Sequence, residues 1–254
     1  MTAINGTTVE FHNTLNPIIW TSDNQLKPNI RCKLEEIVDE FINYIDLNIR
    51  VVDAHIVGSN ASYNYSPYSD LDLHIVINYD EFDASSEIVD MLMWAEKARF
   101  NEQYDLTICG INVEVYVEDV RSNTVSNGIY SLNLDTWIKE PVKEDIAIDE
   151  AAIDDLVQNT LIPEADAALR TSNIEELQFQ IDNLYLLRKN GLATSGEFSV
   201  GNLAFKDMRN LGYLDKLKDA LMKAKSAELS VTQCSTDIRR MIQEFNSKRQ
   251  KGIN

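Results

Sequence analysis

The sequence predicts an α+β chain in which a mixed α/β part runs to about residue 145 and an all-helical part follows. Three observations carry that expectation. Short β-branched runs alternate with helical patterns before residue 145; only helical periodicity follows about residue 148; and the charge changes sign near the same place. Residues 1–69 carry a net −4, residues 70–166 a net −18, and residues 167–254 a net +4. The expected organisation is therefore two domains, 1–145 and 146–254.

Taken in order, Pro28 precedes Ile30, Leu34, Ile37, Val38, Phe41, Ile42 and Ile45 at helical spacing, which predicts a helix over about 29–48. Val51 to Val57 is apolar and β-branched and ends at Gly58-Ser59, the pattern of a strand entering a tight turn. Leu71, Leu73, Ile75 and Ile77 alternate with Asp70, Asp72, His74 and Val76, so one face of the next strand is apolar and the other begins with carboxylates. A helix over 85–101 is expected to present Ile88, Met91, Leu92, Ala95 and Ala98. Leu106–Cys109 and Ile111–Val117 read as a hairpin around Gly110, with Glu114 opposite the valine face, and 122–141 reads as irregular with Trp137 as an anchor.

In the helical part, Ile153, Leu156, Val157 and Leu161 run up to Pro163, and Ser172-x-x-Glu175 has the form of a capping box. Gly191 and Gly212 stand where helix C-caps are expected. Ser230-x-x-Gln233 opens a last helix carrying Ile238, Met241, Ile242 and Phe245.

Composition removes several function classes. With 254 residues and 44% hydrophobic content the chain can bury a real core, so disorder is excluded as its main state. No apolar run approaches the roughly 18 residues of a membrane span, and Met1–Glu10 has neither the basic nor the apolar part of a secretory signal. Cys32, Cys109 and Cys234 are scattered and odd in number, which suits a reducing, cytoplasmic setting, and no CxxC or HxxxH spacing suggests zinc. A net charge of −18 disfavours an extended nucleic-acid track.

The chemistry concentrates in one conjunction: a strand ending in Gly58-Ser59, a gap of 10 residues, Asp70-Leu71-Asp72 at the start of a strand, and Glu114 on a further strand. Alone, Gly-Ser is a turn and DxD a solvated strand end. Together they place a sharp backbone turn and a hydroxyl beside carboxylates that share one face about 6–7 Å apart. Hard oxygen donors of this kind suit Mg²⁺ bridged to phosphate, and a glycine turn lets backbone approach a phosphate closely. Tyr63, Tyr65 and Tyr68 in the gap are candidates to stack on a base or to pack on their own scaffold, and His74 to touch a ligand or to support the site from behind.

The strand ending in Gly58-Ser59, the segment Ser69-Asp70-Leu71-Asp72-Leu73 and Val113-Glu114-Val115 resemble the DNA polymerase β-like nucleotidyltransferase superfamily over roughly residues 30–120. The look is closest to small nucleotidyltransferases of tailed phages and bacteria, and in that comparison it extends through Gly196-Glu197-Phe198-Ser199 and Phe205-Lys206-Asp207-Met208-Arg209-Asn210. The resemblance implies a polymerase β-like mixed sheet with flanking helices. It implies that Gly58 and Ser59 hold the β- and γ-phosphates of an NTP such as ATP, and that Asp70, Asp72 and Glu114 hold two Mg²⁺ ions, with Mn²⁺ as a substitute. Two departures are visible: Tyr63 and Asn64 stand where many members carry a second glycine, and Glu114 where many carry Asp.

Lys206 and Arg209, one helical turn apart, are the candidate cations for the triphosphate, with Arg188 and Lys189 behind them. The expected function is transfer of an NMP to a hydroxyl of a small molecule, a protein side chain or a short RNA 3′ end, in the cytoplasm or, for a phage protein, the host cytoplasm. The rival expectation is a nucleotide-binding or regulatory module that has kept the fold without turnover.

Overall fold

The computed structural model describes residues 9–144, 146–230 and 242–243. The last expected helix, from Ser230 through Phe245, lies almost entirely outside the described residues. The chain divides into two compact units, Met1–Ala147 and Ile148–Asn254. The first is α+β, a six-stranded mixed sheet with flanking helices, and the second is helical. Among the described residues no helix is long and apolar enough to cross a membrane.

In the first unit α1 spans Pro28–Ile45, with Pro28 in its first turn and Ile30, Leu34, Val38 and Phe41 buried along one stripe. Asp46 ends it in the left-handed conformation (φ 48°), earlier than the sequence pattern suggests. The strands are β1 (Val51–Val57), β2 (Leu71–Ile77), β3 (Thr107–Ile108), β4 (Ile111–Asp119), β5 (Ile129–Ser131) and β6 (Thr136–Lys139), in the order β3-β4-β2-β1-β5-β6. β2 is central: it runs antiparallel to β1 and parallel to β4. A parallel neighbour needs a crossover, and α2 (Ser86–Gln103) lies between the two strands in the chain.

Alternation then sorts the side chains. Leu71, Leu73, Ile75 and Ile77 of β2 join Ala54 and Ile56 of β1 and Val113 and Val115 of β4 in one apolar core with α1 and α2. The opposite face of the same strands carries Asp72, His74, Glu114, Tyr116, His55 and Asp53. At the β3–β4 turn both central residues, Cys109 (φ 51°) and Gly110 (φ 83°), have positive φ, as a type I′ hairpin requires.

Five sequence expectations are corrected. The stretch 122–141 is not irregular, because it contains β5 and β6; strands of three and four residues are too short to show a period. Trp137 does anchor that hairpin, stacked on Trp20 at 4.6 Å and donating Nε1–H to the Asn24 carbonyl at 2.7 Å. Helix α2 buries Val89, Met93 and Phe100, leaving Ile88 and Met91 60% and 71% exposed. Its sequence is apolar on two sides, so periodicity alone selected the wrong one.

The other three corrections concern helix ends. The helical run does not stop before Pro163: after α3 (Glu150–Leu156) a π-helical turn over Val157–Leu161 leads straight into α4 (Ile162–Thr171), where Pro163 sits in the first turn. α5 (Ile174–Ser195) is capped by Asn173, whose side chain accepts from Glu175 and Glu176 N–H, while Ser172 (φ 52°) terminates α4. Gly191 is buried inside α5, where a Cβ would meet Ser199 Oγ at 2.5 Å and Asn202 N at 2.8 Å. It is a close-packing residue, not a cap. Gly212 (φ 74°) links α6 (Val200–Asn210) to α7 (Tyr213–Leu229).

Asp207 of α6 is 8% exposed, and its Oδ1 has no hydrogen-bond partner among the described residues. Burial, with the Asp154 carboxylate as a lesser cause, pushes its pKa up to about 7. Such a group is neutral in both states at low pH and costs stability as pH rises from the ordinary carboxylate range through about 7. Asp207→Asn is therefore expected to raise the Tm at pH 8, with the gain shrinking to nothing near pH 4, as thermal denaturation across that range will show.

Candidate functional site

The turn after β1 is built around absent and buried atoms. Gly58 has φ 75°, and a Cβ placed there would lie 2.0 Å from Asp72 Oδ2. Only glycine combines that backbone conformation with so close an approach. Its N–H donates to Ser126 Oγ at 3.1 Å, and Ser59–Ala61 follows as a single 3-10 turn closed by Ala61 N–H to the Gly58 carbonyl. The Ala61 N–H is thus engaged within the turn. Ser59 Oγ donates to Ser69 Oγ at 2.8 Å, tying the turn to the residue just before the DxD pair.

Asn60 is the hub behind this turn. Fully buried, it donates through Nδ2 to the carbonyls of Ser69 and Asp70, accepts at Oδ1 from Asn16, and offers its own carbonyl to Trp20 Nε1–H. A buried amide with this many partners rigidifies what it touches. Here it fixes the backbone of Asp70, which lies just outside β2.

Strand pairing places the other acids. Asp72 is opposite Val57 on one side and Glu114 on the other, so Asp72 and Glu114 share a face on neighbouring strands, which run about 4.8 Å apart. The structure thus gathers Gly58, Ser59, Asp70, Asp72 and Glu114 at one end of β1, β2 and β4. Among the described residues no three His, Cys, Asp or Glu side chains are arranged to hold an ion by themselves. Asp70, Asp72 and Glu114 are the residues here whose oxygens could contribute to holding a hard cation such as Mg²⁺, which takes few ligands from protein when phosphates and water supply the rest.

Three neighbours escaped the sequence reading. Lys97 of α2 brings Nζ to 4.0 Å from Glu114 Oε1 and to 4.0 Å from the centre of the Tyr116 ring. Asn101, one turn further on, clamps the outer edge of β4 by donating Nδ2–H to the Val115 carbonyl (2.8 Å) and accepting Val115 N–H at Oδ1 (3.0 Å). That pair of bonds holds the residue next to Glu114 and closes a bare strand edge. Glu118 is the third; the alternation Glu114, Tyr116, Glu118 on one strand face was the available signal.

Glu118 organises a half-buried charged row. His74 Nδ1 lies 3.2 Å and His55 Nδ1 3.5 Å from its carboxylate, and Thr124 donates to it as well. Burial alone would raise its pKa, but His55, His74 and Thr124 hold it well below the usual carboxylate range. On its far side His55 donates to Asp53 Oδ2 at 3.2 Å, and Ser131 Oγ does so at 2.6 Å. Burial would lower the His55 pKa, yet Asp53 and Glu118 outweigh it and push it up to about 9. His55 is thus an imidazolium at neutral pH, and His74 supports the row behind Asp72.

The tyrosines of the gap divide. Tyr65 stacks on His12 at 3.9 Å, Tyr63 packs beside the core, and Tyr68 is 51% exposed. Lys206 and Arg209 lie half-buried on α6 of the helical unit. Arg188 of α5 is engaged locally, its guanidinium 5.0 Å from the Phe205 ring, and Lys189 is exposed on the same helix.

No protein-family model, curated protein or solved structure matches this chain.

The Gly58–Asp72 contact makes a quantitative prediction. Gly58→Ala adds a clash with the Asp72 carboxylate to the left-handed strain, for a loss of about 1–3 kcal/mol. In the double variant with Asp72→Ala the clash disappears and only the strain remains, so the two losses will not add when Tm values are compared.

Proposed function

We propose that the chain is a Mg²⁺-dependent nucleotidyltransferase, moving an NMP from an NTP to an acceptor hydroxyl with release of pyrophosphate. The observation that carries this reading is the contact of Gly58 with Asp72 and the pairing of Asp72 with Glu114, which put a glycine-hydroxyl turn beside strand carboxylates. In the reaction the acceptor oxygen forms a bond to the α-phosphorus as the bond to the bridging oxygen of the β-phosphate breaks. The hydroxyl proton passes to solvent or a nearby base, and pyrophosphate leaves in line.

Asp70, Asp72 and Glu114 would hold the Mg²⁺ ions, whose chemistry is to acidify the acceptor hydroxyl and neutralise the departing phosphates. The protein's own part is positional. Ser59 would turn its hydroxyl from Ser69 to a phosphate oxygen, and Gly58 would let the backbone approach without steric conflict. Asn60 keeps the Asp70 backbone in place, while the Asn101 clamp and Lys97 hold the strand and side chain of Glu114. The place of action in this reading is the cytoplasm, and the acceptor classes stay those expected from the sequence.

The test is pyrophosphate release from each NTP with cell extract as the acceptor source. Asp72→Asn is expected to reduce it by about 10³-fold or more with the fold intact by circular dichroism. Near-normal turnover of that variant in Mg²⁺ would remove the assignment. NTP with Mg²⁺ should raise the Tm by about 5–10 °C at a ligand concentration near 100 Kd, and NTP in EDTA should not. A Tm shift without pyrophosphate release from any NTP would instead identify a nucleotide-binding module.

A further inference from the structure

Helix α2 is apolar on two sides, and the described residues cover only one of them. Val89, Met93 and Phe100 enter the core, whereas Ile88, Met91 and Trp94 are 60%, 71% and 67% exposed and Leu92 is 38% exposed. Ile88, Met91, Trp94, Ala95 and Ala98 form a continuous helical stripe with Leu92 at its margin. Scattered exposed apolar residues are normal; a stripe including a tryptophan and a methionine is not.

Its surroundings are acidic. Residues 80–105 carry eight Asp and Glu against Lys97 and Arg99. Neither base compensates the rim: Lys97 is turned to Glu114 and Tyr116, and Arg99 is bound to Glu96 at 3.0 Å. Glu87 and Glu102 stand exposed at the two ends of the stripe.

We propose that this outward face of α2 docks a basic amphipathic helix of another protein, with leucine-type side chains over Met91 and Trp94 and Lys or Arg facing Glu87 and Glu102. The proposal is independent of the nucleotidyl-transfer reading. Two physical arguments select this occupant over a second copy. Self-pairing would bring two net −6 segments together in a chain already at −18. An 18-residue helix is about 27 Å long, so one stripe about 10 Å wide covers roughly 300 Å², well below the roughly 800 Å² per partner of a stable interface. A single helix laid along the stripe needs no more than that face, and opposite charge at the rim supplies orientation.

The experiment uses the full-length protein and Trp94 emission, isolated by subtracting a Trp94→Phe variant. The probe is a synthetic 18-residue amphipathic helix of Leu and Lys; its controls are a Leu/Glu helix and a Ser/Lys peptide of the same charge. At 0.15 M salt the Leu/Lys helix is expected to blue-shift Trp94 and shield it from iodide, and neither control should. Ile88→Ser with Met91→Ser, which leaves charge unchanged, should weaken binding at least tenfold, and Glu87→Gln with Glu102→Gln several-fold. Equal binding of the Leu/Glu helix or the Ser/Lys peptide, or an unchanged affinity in the Ser variant, overturns the proposal. So does a sedimenting dimer that Met91→Ser dissociates, which would make a second copy the occupant. Iodide shielding of Trp94 in the free monomer would mean that the chain covers the face itself, and overturns it too.

Discussion

The contact between a missing Cβ at Gly58 and the carboxylate of Asp72 is the constraint on which the site depends. It joins the end of one strand to the start of its antiparallel neighbour with no room for a side chain. The neighbouring placements accompany it: β1 ends at Val57 opposite Asp72, the turn folds back through Ser59 toward Ser69, and buried Asn60 binds the carbonyls of Ser69 and Asp70. A side chain at 58 would have to displace the Asp72 carboxylate, which shares a sheet face with Glu114.

β2 then reads as a partition. Its apolar face supplies Leu71, Leu73 and Ile75 to the core at full burial, and its other face carries the charges. Charges on a sheet face are expensive unless paired, and here the remedy differs by position. Away from the turn, Glu118 is shared between two imidazoles and a hydroxyl, and Asp53 and His55 complete the row. At the turn end the acids Asp70, Asp72 and Glu114 have Lys97 as the nearby base on Glu114. The half-buried row thus pairs its charges among its own members, while Asp70, Asp72 and Glu114 gather at the turn end.

Legibility in the sequence followed period and proximity. Val51–Val57 and Leu71–Ile77 were readable to the residue because alternation or a β-branched run spans each strand. The Gly-Ser and DxD elements were readable because both lie within fifteen residues and their types are chemically narrow. β5 and β6 were not, since three or four residues cannot show a period. The buried side of α2 was misread because Ile88 and Met91 match the helical template as well as Val89 and Met93 do. Lys97, Asn101 and Glu118 act through side chains that cross from one element to another, and such contacts exist only after the chain has folded. The cap at Asn173 was displaced by one residue because Ser172 and Asn173 are both competent and only the left-handed turn at Ser172 decides between them.

The parallel pairing of β2 with β4 has a kinetic side. Asp72 and Glu114 are neighbours in space only because the chain leaves the sheet after β2, forms α2 and returns through the short hairpin with β3. β1 and β2 can meet early as a local antiparallel pair, but parallel contacts wait for the longer loop to close. The carboxylate pair is therefore assembled late. A nascent or partly unfolded chain has the Gly58 turn and the DxD segment without Glu114 beside them, so the meeting of Asp72 with Glu114 and the completion of the sheet are the same event.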